Sequence, residues 1–390
     1  MKKNNSHSAN TNNRKRTGSH RTILRNVNKK LSNKPISAKK TKIPKNKNKA
    51  KTKKRRRTVG FIRAEENPII LPKQENEWES WQTFNPGVVL LNNKIHFIYR
   101  AIGIDGLSRF GYASSFDGFA VDERLSYPVY EHGLNDMSVF NYYSFASGGS
   151  FGGAEDPRIV RVDEEDVLYM TYTACDFGLR VALTSIKIKD FLHKNWKWKS
   201  PKLISAQGEV HKNWVIFPEK INGKYAILHS ISPRISIEYI DSLEFKDGDF
   251  IQSYYNGYGK KNCWDSYVRG AGAPPLKTKD GWLLFYQAMN ANDMSKYKVG
   301  AMLLDLNDPT KILHRSQEPI LEPEEVYENN GFKVGVVYVS GAVIMRDEIL
   351  VYYGASDSYV GVAYAPLQEF LTTLVREDMP KLKTRILKKK

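Results

Sequence analysis

The chain has 390 residues, and its 60 Lys and Arg against 42 Asp and Glu give a net charge of +18. Two cysteines exclude a disulfide framework or a thiolate metal site, and the lack of an 18-residue apolar run excludes a membrane-spanning helix. The basic charge is concentrated, because residues 1–57 hold 22 Lys and Arg and no acid. The other 38 basic residues face 42 acidic ones, a net of −4, which argues against a folded part built to bind nucleic acid.

Residues 1–57 are predicted to be a disordered polybasic tail, because they contain too few large apolar residues to offset the entropy of ordering. Two interpretations of the tail stay open. It either attaches the protein to an anionic polymer or surface, or it is a solubilising extension without a partner. No signal peptide is recognised, so the default expectation is a cytoplasmic protein. Residues 58–390 are expected to form one folded domain, and a homo-oligomer is one of the possible states.

The body contains an internal repeat of about 60 residues, in which a short apolar strand begins near Pro86, Pro157, Pro218, Pro274 or Gly341. Each copy continues with a turn and an aromatic strand, at 95–101, 168–174, 225–230, 282–288 and 349–355. A third strand follows at 111–114, 181–184, 237–239, 300–303 and 361–364. Five copies of one antiparallel unit predict an all-β fold with little helix, namely a five-bladed β-propeller.

Polar residues gather where the innermost strands of such a fold would converge. The carboxylates there are Asp156, Glu219 and Asp265, and the motifs place basic side chains such as Arg269 and the aromatic ring of Trp264 near them. Carboxylates beside aromatic rings suit carbohydrate, because glycosidic cleavage needs one carboxylic acid to protonate the leaving oxygen. Inversion needs a nucleophile on the opposite face, either water activated by a second carboxylate or a phosphate ion held by cations.

At this point the sequence resembles glycoside hydrolase family 130, the β-mannoside phosphorylases and β-mannosidases, over roughly residues 83–375. The motifs that carry the resemblance are Asn85-Pro86-Gly87, Tyr99-Arg100-Ala101, Ser108-Arg109-Phe110-Gly111, Glu155-Asp156-Pro157-Arg158, Phe217-Pro218-Glu219-Lys220, Trp264-Asp265-Ser266, Gly272-Ala273-Pro274-Pro275 and Tyr353-Gly354-Ala355-Ser356-Asp357. They follow one another in register with the five-fold repeat.

The resemblance implies a five-bladed propeller, an inverting reaction on a β-mannoside glycan, and no metal or organic cofactor. It implies that Asp156 is the general acid, acting in the phosphorylases through a sugar hydroxyl. The substrate-binding residues that we predict are Asn85, Arg100, Arg109, Arg158, Lys212, Trp264, Asp265 and Asp357. If phosphate is bound as a co-substrate, the residues expected to hold it are Arg100, Lys212 and His229.

Two departures from the family pattern favour hydrolysis. Ser230 and Gln287 stand where the phosphorylases typically carry an arginine and a histidine, and charge-assisted donors are what a phosphate site needs. Hydrolysis requires a second carboxylate, for which Glu219 is our choice, with Glu324 and Glu325 as other candidates.

Three alternatives remain open: a phosphorylase that releases mannose 1-phosphate, a propeller that binds glycan without cleaving it, and a nucleic-acid-binding protein that relies on the tail alone.

Some of these residues also have purely structural interpretations. Asp156 could simply turn the chain before Pro157, and Arg158 could pair with Glu155. His229 could be a buried histidine without a role in catalysis. The glycine-rich segment 147–153 is predicted to be a flexible loop over the site.

Overall fold

The structure is a computed structural model, and it describes residues 60–133, 142–175, 178–259 and 262–378. The predicted tail, residues 1–57, lies outside the described residues. Within them the fold is mostly β, as predicted. Three helices are short, α1 (Tyr142–Gly148), α2 (Ile188–Leu192) and α3 (Leu367–Asp378), and 3-10 turns occupy Glu77–Glu79 and Val326–Glu328. None of these described helices is long and apolar enough to cross a membrane.

The strands in chain order are β1 (Ile62–Arg63), β2 (Gln82–Leu91), β3 (Lys94–Ile102), β4 (Leu107–Ser115), β5 (Glu123–Arg124), β6 (Gly152–Arg161), β7 (Val167–Cys175), β8 (Arg180–Lys187), β9 (Lys202–Leu203), β10 (Val215–Ile216), β11 (Tyr225–Ser230), β12 (Ser236–Ile240), β13 (Tyr267–Ala271), β14 (Leu276–Thr278), β15 (Gly281–Asn290), β16 (Asp293–Leu304), β17 (Ile312–Arg315), β18 (Val337–Met345), β19 (Glu348–Ala355) and β20 (Tyr359–Pro366). The aromatic strand of every predicted copy lies within one of them, β3, β7, β11, β15 or β19.

Strand pairing groups the described strands into five antiparallel meanders. The first (β2–β5) and second (β6–β9) form one eight-stranded sheet, because β4 and β6 pair briefly in parallel. The third meander is β10–β12 and the fourth is β13–β17. The fifth consists of β18–β20, and β1 pairs antiparallel with β20 at its edge. The last meander therefore contains a strand from the beginning of the described chain.

Hydrophobic clusters join each meander to the next. Phe110 lies 5.7 Å from Tyr172 between the first and second meanders, and Phe217 lies 5.2 Å from Trp282 between the third and fourth. Other clusters connect the second meander with the third and the fourth with the fifth. Phe97 on β3 lies 4.9 Å from Tyr352 on β19, so the fifth meander packs on the first. Burial of these side chains is the main stabilising contribution to the fold.

The first strand of four meanders carries a β-bulge near its start. The register shifts occur between Phe84 and Gly87, Glu155 and Arg158, Val268 and Gly270, and Val339 and Gly341. A bulge leaves a residue unpaired and redirects its side chain. In β2 and β6 the redirected residues are Asn85 (φ 45°) and Asp156 (φ 53°), and Asn and Asp tolerate this left-handed conformation better than most residues.

The bulges of neighbouring meanders approach each other closely. A Cβ atom at Gly87 would lie 2.6 Å from the carbonyl oxygen of Pro157, and one at Gly341 would lie 2.8 Å from that of Pro86. Only glycine permits these approaches, which bring β18, β2 and β6 together. The redirected side chains of the bulges consequently face a common space.

Candidate active site

The side chains that meet between the first strands line a pocket of about 530 Å³, including part of its open mouth. All five meanders, or the segments directly beside them, contribute to it. Its lining consists of Asn85, Ala146, Ser147, Asp156, Lys212, Asn213, Arg269, Tyr297, Lys333, Val336, Tyr338 and Asp357. Four of the predicted site residues are therefore together here: Asn85, Asp156, Lys212 and Asp357.

Asp156 is a buried carboxylate held from one side. Its Oδ1 atom accepts a hydrogen bond of 2.8 Å from the Asn85 side-chain amide and one of 3.3 Å from the Arg100 guanidinium. Within the described parts of the chain, no side chain donates to Oδ2. The carboxyl group is thus fixed in position with one oxygen available to a bound molecule, the arrangement that a general acid requires.

Arg100 is fully buried and directs all its nitrogens into the protein. It donates to Ser108 (2.9 Å), Ser150 (3.1 Å) and Glu155 (3.0 Å), besides Asp156. Burial opposes its charge, but the two carboxylates outweigh burial and raise the pKa of Arg100. Because it does not line the pocket, the structure does not support our prediction that Arg100 binds substrate or phosphate. It positions Asp156 instead.

Glu155, directly before the predicted acid, is the centre of a buried ion-pair network. Its carboxylate accepts hydrogen bonds from Arg100 and, at 2.7 Å, from Lys212, and also from Ser144 and Ser147. Burial alone would raise its pKa, but the two cations outweigh burial and lower the pKa of Glu155 to about 2. Glu155 is therefore ionised near neutral pH and is not a candidate for the general acid.

Arg158 does not pair with Glu155, contrary to one of the two interpretations from sequence. It donates to the main-chain oxygen of Asp156 (2.9 Å) and to the hydroxyl of Tyr338 (3.3 Å). Tyr338 in turn donates to Asn213, and both of these side chains line the pocket. Arg158 lies behind that wall, so we assign it to positioning rather than to the predicted substrate contact.

Among the residues that the structure describes, Arg269 and Lys333 are the cations of the pocket that carry no ion pair. Both lie over the ring of Tyr297, with Arg269 at 5.9 Å and Lys333 at 4.8 Å from its centroid. Across the described ranges, no carboxylate oxygen lies within 4.0 Å of either one. Burial opposes the Arg269 charge, but the surrounding tyrosines outweigh it and raise the pKa of Arg269. Two cations without an ion-pair partner among the described residues, in a partly buried pocket, favour an anionic ligand.

Asp357 is the second carboxylate of the pocket, and it follows β19 with a φ of 49°. Burial raises the pKa of Asp357 to about 6, although Lys333 and Arg100 act in the opposite direction. Its main-chain oxygen accepts a 2.6 Å hydrogen bond from Gln82. Near neutral pH, a carboxyl group with this pKa can accept a hydrogen bond from a sugar hydroxyl when ionised, or donate one to it when protonated.

Glu219 does not reach the pocket. Its half-exposed carboxylate pairs with Lys277 near the protein surface. The other two candidates for a second carboxylate are also elsewhere: Glu324 pairs with Arg63 at 3.2 Å, and Glu325 caps the turn Val326–Glu328. This placement corrects our choice of Glu219 as the residue that activates water.

Three further predicted substrate-binding residues are engaged outside the pocket lining. Asp265 accepts hydrogen bonds from Tyr286 (2.8 Å) and Arg315 (2.6 Å), and Trp264 stacks on the same Tyr286 ring at 6.0 Å. Arg109 forms ion pairs with Asp105 (2.7 Å) and Glu131 (2.9 Å). These contacts hold the fourth meander and the edge of the first, and they give no support to the predicted sugar contacts.

His229 and Ser230 line a second cavity, of about 560 Å³, beside the pocket. The Nδ1 atom of His229 lies 2.8 Å from the Ser253 hydroxyl. Burial, assisted by His211, lowers the pKa of His229 to about 4, so the ring is neutral at pH 7 and adds no positive charge for phosphate. Gln287 is fully buried and donates to the main-chain oxygen of Val339, away from the pocket.

The predicted loop 147–153 is more regular than expected. Ser147 and Gly148 form the last turn of α1, and Gly152 and Gly153 already belong to β6. Ser147 donates to Glu155 and accepts from Lys212, so this segment is bonded into the wall of the pocket. A Cβ atom at Gly148 would lie 2.8 Å from the Arg100 guanidinium, which explains the small residue there.

The sequence interpretation missed Asn213, Tyr297, Lys333 and Tyr338, and it named Arg269 without assigning it a role. Asn213 adjoins the predicted Lys212, and Tyr338 lies three residues before the repeated position at Gly341, so proximity to motifs could have found these two. Lys333 and Tyr297 belong to no repeated motif. Lys333 and Tyr297 come into contact only because the fourth and fifth meanders pack against each other.

In this β fold, one pocket near the starts of the strands contains a buried acid with one oxygen still available. The same pocket contains cations that have no ion-pair partner among the described residues. These are features of an enzyme that acts on glycosides. A model of glycoside hydrolase family 130, described as beta-1,4-mannooligosaccharide phosphorylase, matches residues 53–376. The 1,2-beta-oligomannan phosphorylase of Thermoanaerobacter sp. (strain X514) is 38% identical over 326 residues, covering 80% of this chain and 99% of that protein.

Two solved structures are similar over most of their length. The beta-1,2-mannobiose phosphorylase of Listeria innocua, in complex with beta-1,2-mannobiose, has a TM-score of 0.63, 26% identity and coverage of 80% of this chain and 99% of that one. A structure described by the words "The GH130 family of mannoside phosphorylases contains glycoside hydrolases that target beta-1,2 mannosidic linkages in Candida mannan" has a TM-score of 0.64, 27% identity and coverage of 80% and 95%. The chain belongs to glycoside hydrolase family 130, as its motifs predicted, and it is an enzyme that acts on β-mannosides.

Proposed function

We propose that this protein is an inverting β-1,2-mannoside phosphorylase, which transfers a terminal mannosyl unit to inorganic phosphate and releases α-mannose 1-phosphate. The similar proteins support the linkage, since the Thermoanaerobacter and Listeria relatives are both named for β-1,2-mannoside phosphorolysis. They support phosphorolysis better than the hydrolysis that we favoured from Ser230 and Gln287.

The observation that carries the proposal is the presence of Arg269 and Lys333, without carboxylate partners among the described residues, in the same pocket as Asp156. Charge-assisted hydrogen bonds from such cations suit a phosphate ion. Lys212 lines the pocket too, although Glu155 already neutralises it. The predicted phosphate-binding set of Arg100, Lys212 and His229 is therefore revised to Arg269 and Lys333, with Lys212 beside them.

The reaction that we infer breaks the bond between C1 of the mannosyl unit and the bridging oxygen. A phosphate oxygen attacks C1 from the opposite face and forms the new bond with inversion. The leaving oxygen receives a proton that originates from Asp156, directly or through a sugar hydroxyl at its open Oδ2 atom. Asp357 binds a hydroxyl of the mannosyl unit, and Asn85 and Arg100 keep the acid in place.

The scaffold that we propose is a five-bladed β-propeller formed by the body of the chain, residues 58–390. Five antiparallel meanders, clusters that join each to the next, and packing of the fifth on the first support this arrangement. The pairing of β1 with β20 would close the ring, as strands from both ends of a chain do in propellers.

Hydrolysis is a second candidate because of Asp357. A pocket carboxyl group whose pKa is raised to about 6 could act as the base that activates water, with Asp156 as the acid. A similar structure, whose description says that family 130 contains glycoside hydrolases that target β-1,2-mannosidic linkages, supports this alternative.

Initial rates of β-1,2-mannobiose cleavage, measured across a range of phosphate concentrations, test the proposal. We expect cleavage that depends on phosphate, and we expect Lys333→Met to raise the KM for phosphate at least tenfold with a smaller effect on the KM for mannobiose. Lys333→Arg, which keeps the charge, should recover part of the affinity. A cleavage rate that is the same with and without phosphate would favour hydrolysis instead.

A further inference from the structure

Arg158 is a buried arginine without a carboxylate partner in the described part of the chain. Its side chain is 2% exposed, and it forms no ion pair within 4.0 Å there. Its Nε atom also has no hydrogen-bond partner among the same residues. A buried charge is costly unless a counter-charge compensates it. The environment of Arg158 therefore favours an anion bound close to it.

One terminal nitrogen of Arg158 holds the main chain of the proposed acid. Nη1 donates to the main-chain oxygen of Asp156 at 2.9 Å and lies 3.5 Å from that of Pro157. Asp156 has a left-handed φ of 53° at the bulge of β6. A donor fixed at its carbonyl group restricts rotation about the ψ bond of Asp156. The direction of the acid's side chain therefore depends on Arg158.

The other terminal nitrogen of Arg158 reaches the wall of the pocket. Nη2 donates to the Tyr338 hydroxyl at 3.3 Å and to the side-chain oxygen of Asn213 at 3.4 Å. The Tyr338 hydroxyl donates to that same oxygen of Asn213. The guanidinium also lies 5.7 Å from the centroid of the Tyr338 ring. Arg158 thereby connects β6 with β18 and with the segment that precedes β10.

Asn213 continues this connection to the cation that we assign to phosphate binding. Its side-chain amide donates to the main-chain oxygen of Arg269 at 3.1 Å. A Cβ atom at Gly270 would lie 2.8 Å from the Cβ atom of Asn213, so the two segments are in direct contact. Hydrogen bonds consequently run without interruption from the main chain of Asp156 to that of Arg269.

A second link runs beside the first. Glu155 pairs with Lys212 at 2.7 Å, and these two residues directly precede Asp156 and Asn213 in the sequence. Two links at consecutive residues restrict rotation as well as separation of the joined segments. The acid and the phosphate-binding wall are therefore held as one unit.

We propose that Arg158 couples the general acid to the phosphate-binding wall, so that one buried guanidinium sets the positions of Asp156 and Arg269 together. The inference rests on the proposed phosphorolysis, since it takes phosphate as the anion. Arg158 is a positioning residue, because it does not line the pocket and acts through Asn213 and Tyr338. Neither Asn85 nor Asp357 hydrogen-bonds to it, so sugar affinity should not depend on Arg158.

Steady-state kinetics of the full-length Arg158→Met variant test both ends of the connection. We expect kcat to fall at least tenfold and the KM for phosphate to rise at least tenfold, while the KM for β-1,2-mannobiose changes less than threefold. Arg158→Lys, which keeps the charge, should recover part of the affinity for phosphate. Arg161→Met is the matched control on the same strand, because Arg161 donates to main-chain oxygens of Glu164 and Glu165 outside the pocket. It should leave all three constants unchanged.

Calorimetric titration with inorganic phosphate, in full-length proteins that also carry Asp156→Asn, measures the phosphate end without turnover. Arg158→Lys and Tyr338→Phe should each weaken phosphate binding. The double variant should bind phosphate about as weakly as the weaker single variant, because both changes break the same connection. Losses that multiply independently would overturn the inference, and this comparison remains available if Arg158→Met does not fold.

A fall in kcat alone, or equal increases in the two KM values, would also overturn the inference. The first result would confine Arg158 to the acid, and the second would give it a general structural role. Failure of the phosphorolysis proposal is distinguishable, because it would appear in the unmodified enzyme as cleavage at the same rate without phosphate.

Discussion

The side-chain amide of Asn85 donates to Oδ1 of Asp156 at 2.8 Å, which joins the bulges of two successive meanders. Asn85 is itself tightly enclosed, since a Cβ atom at Gly354 would lie 1.9 Å from its Oδ1 atom. Asp156 on β6 is therefore oriented by Asn85 on β2. Asn85 fits there because Gly354 on β19 has no side chain. Its position depends on the scaffold as a whole.

Replacing the acid or its partner should have separable effects. Asp156→Asn is expected to abolish turnover while fold and sugar binding persist, because the variant keeps the shape and loses the transferable proton. Asn85→Ala is expected to lower kcat roughly tenfold to a hundredfold through misplacement of the acid. Circular dichroism and steady-state kinetics measure both, and full activity in Asp156→Asn would refute the assignment of the acid.

Glu219→Gln should leave kcat and KM nearly unchanged. The carboxylate of Glu219 pairs with Lys277 at the surface, and exposed ion pairs contribute only about 0–1 kcal/mol to stability. The decisive comparison is with Asp357→Asn, for which we expect a large loss of activity because Asp357 lines the pocket. A large loss in Glu219→Gln would restore our original choice of the second carboxylate.

Glu155→Gln should destabilise the protein strongly. It removes the shared partner of Arg100 and Lys212 and leaves buried positive charge uncompensated, which typically costs about 3–5 kcal/mol. Chemical denaturation measures the free energy of unfolding, and the matched surface variant Glu219→Gln is the control. A change below about 1 kcal/mol would show that the network contributes little.

Stability should depend on pH through Asp357. Its pKa is raised from 3.8 to about 6 in the folded protein, so the folded state binds the proton more tightly than the unfolded state does. The contribution of this proton binding to the free energy of unfolding is complete below pH 3.8 and is lost as the pH rises through about 6. Asp357→Asn should therefore gain stability relative to the wild type between pH 4 and pH 8, by up to about 3 kcal/mol. A difference that stays constant over this range would contradict the raised pKa.

The strands were predictable because their signals are local. Alternating apolar residues, turn residues and the repeated Pro or Gly position identify β2, β6 and β18 without any knowledge of packing. Asp156 was found for the same reason, since it lies at the repeated position of β6. The family resemblance added the expectation of β-mannoside chemistry.

The remaining part of the site depends on contacts between distant segments. Glu219 occupies the repeated position in sequence, but β10 is only Val215–Ile216 and the chain has already turned toward Lys277 when it reaches Glu219. Arg269 and Lys333 become neighbours only through the Tyr297 ring that lies against both. Arg100 looked like a ligand-binding cation, and only three-dimensional structure reveals that its donors are already occupied.

The most direct test of the proposed function is ³¹P and ¹H NMR of the products formed from β-1,2-mannobiose, with and without inorganic phosphate. The account predicts α-mannose 1-phosphate and one equivalent of free mannose in the sample with phosphate, and no cleavage in the sample without it. Two equivalents of free mannose at the same rate in both samples would contradict the account.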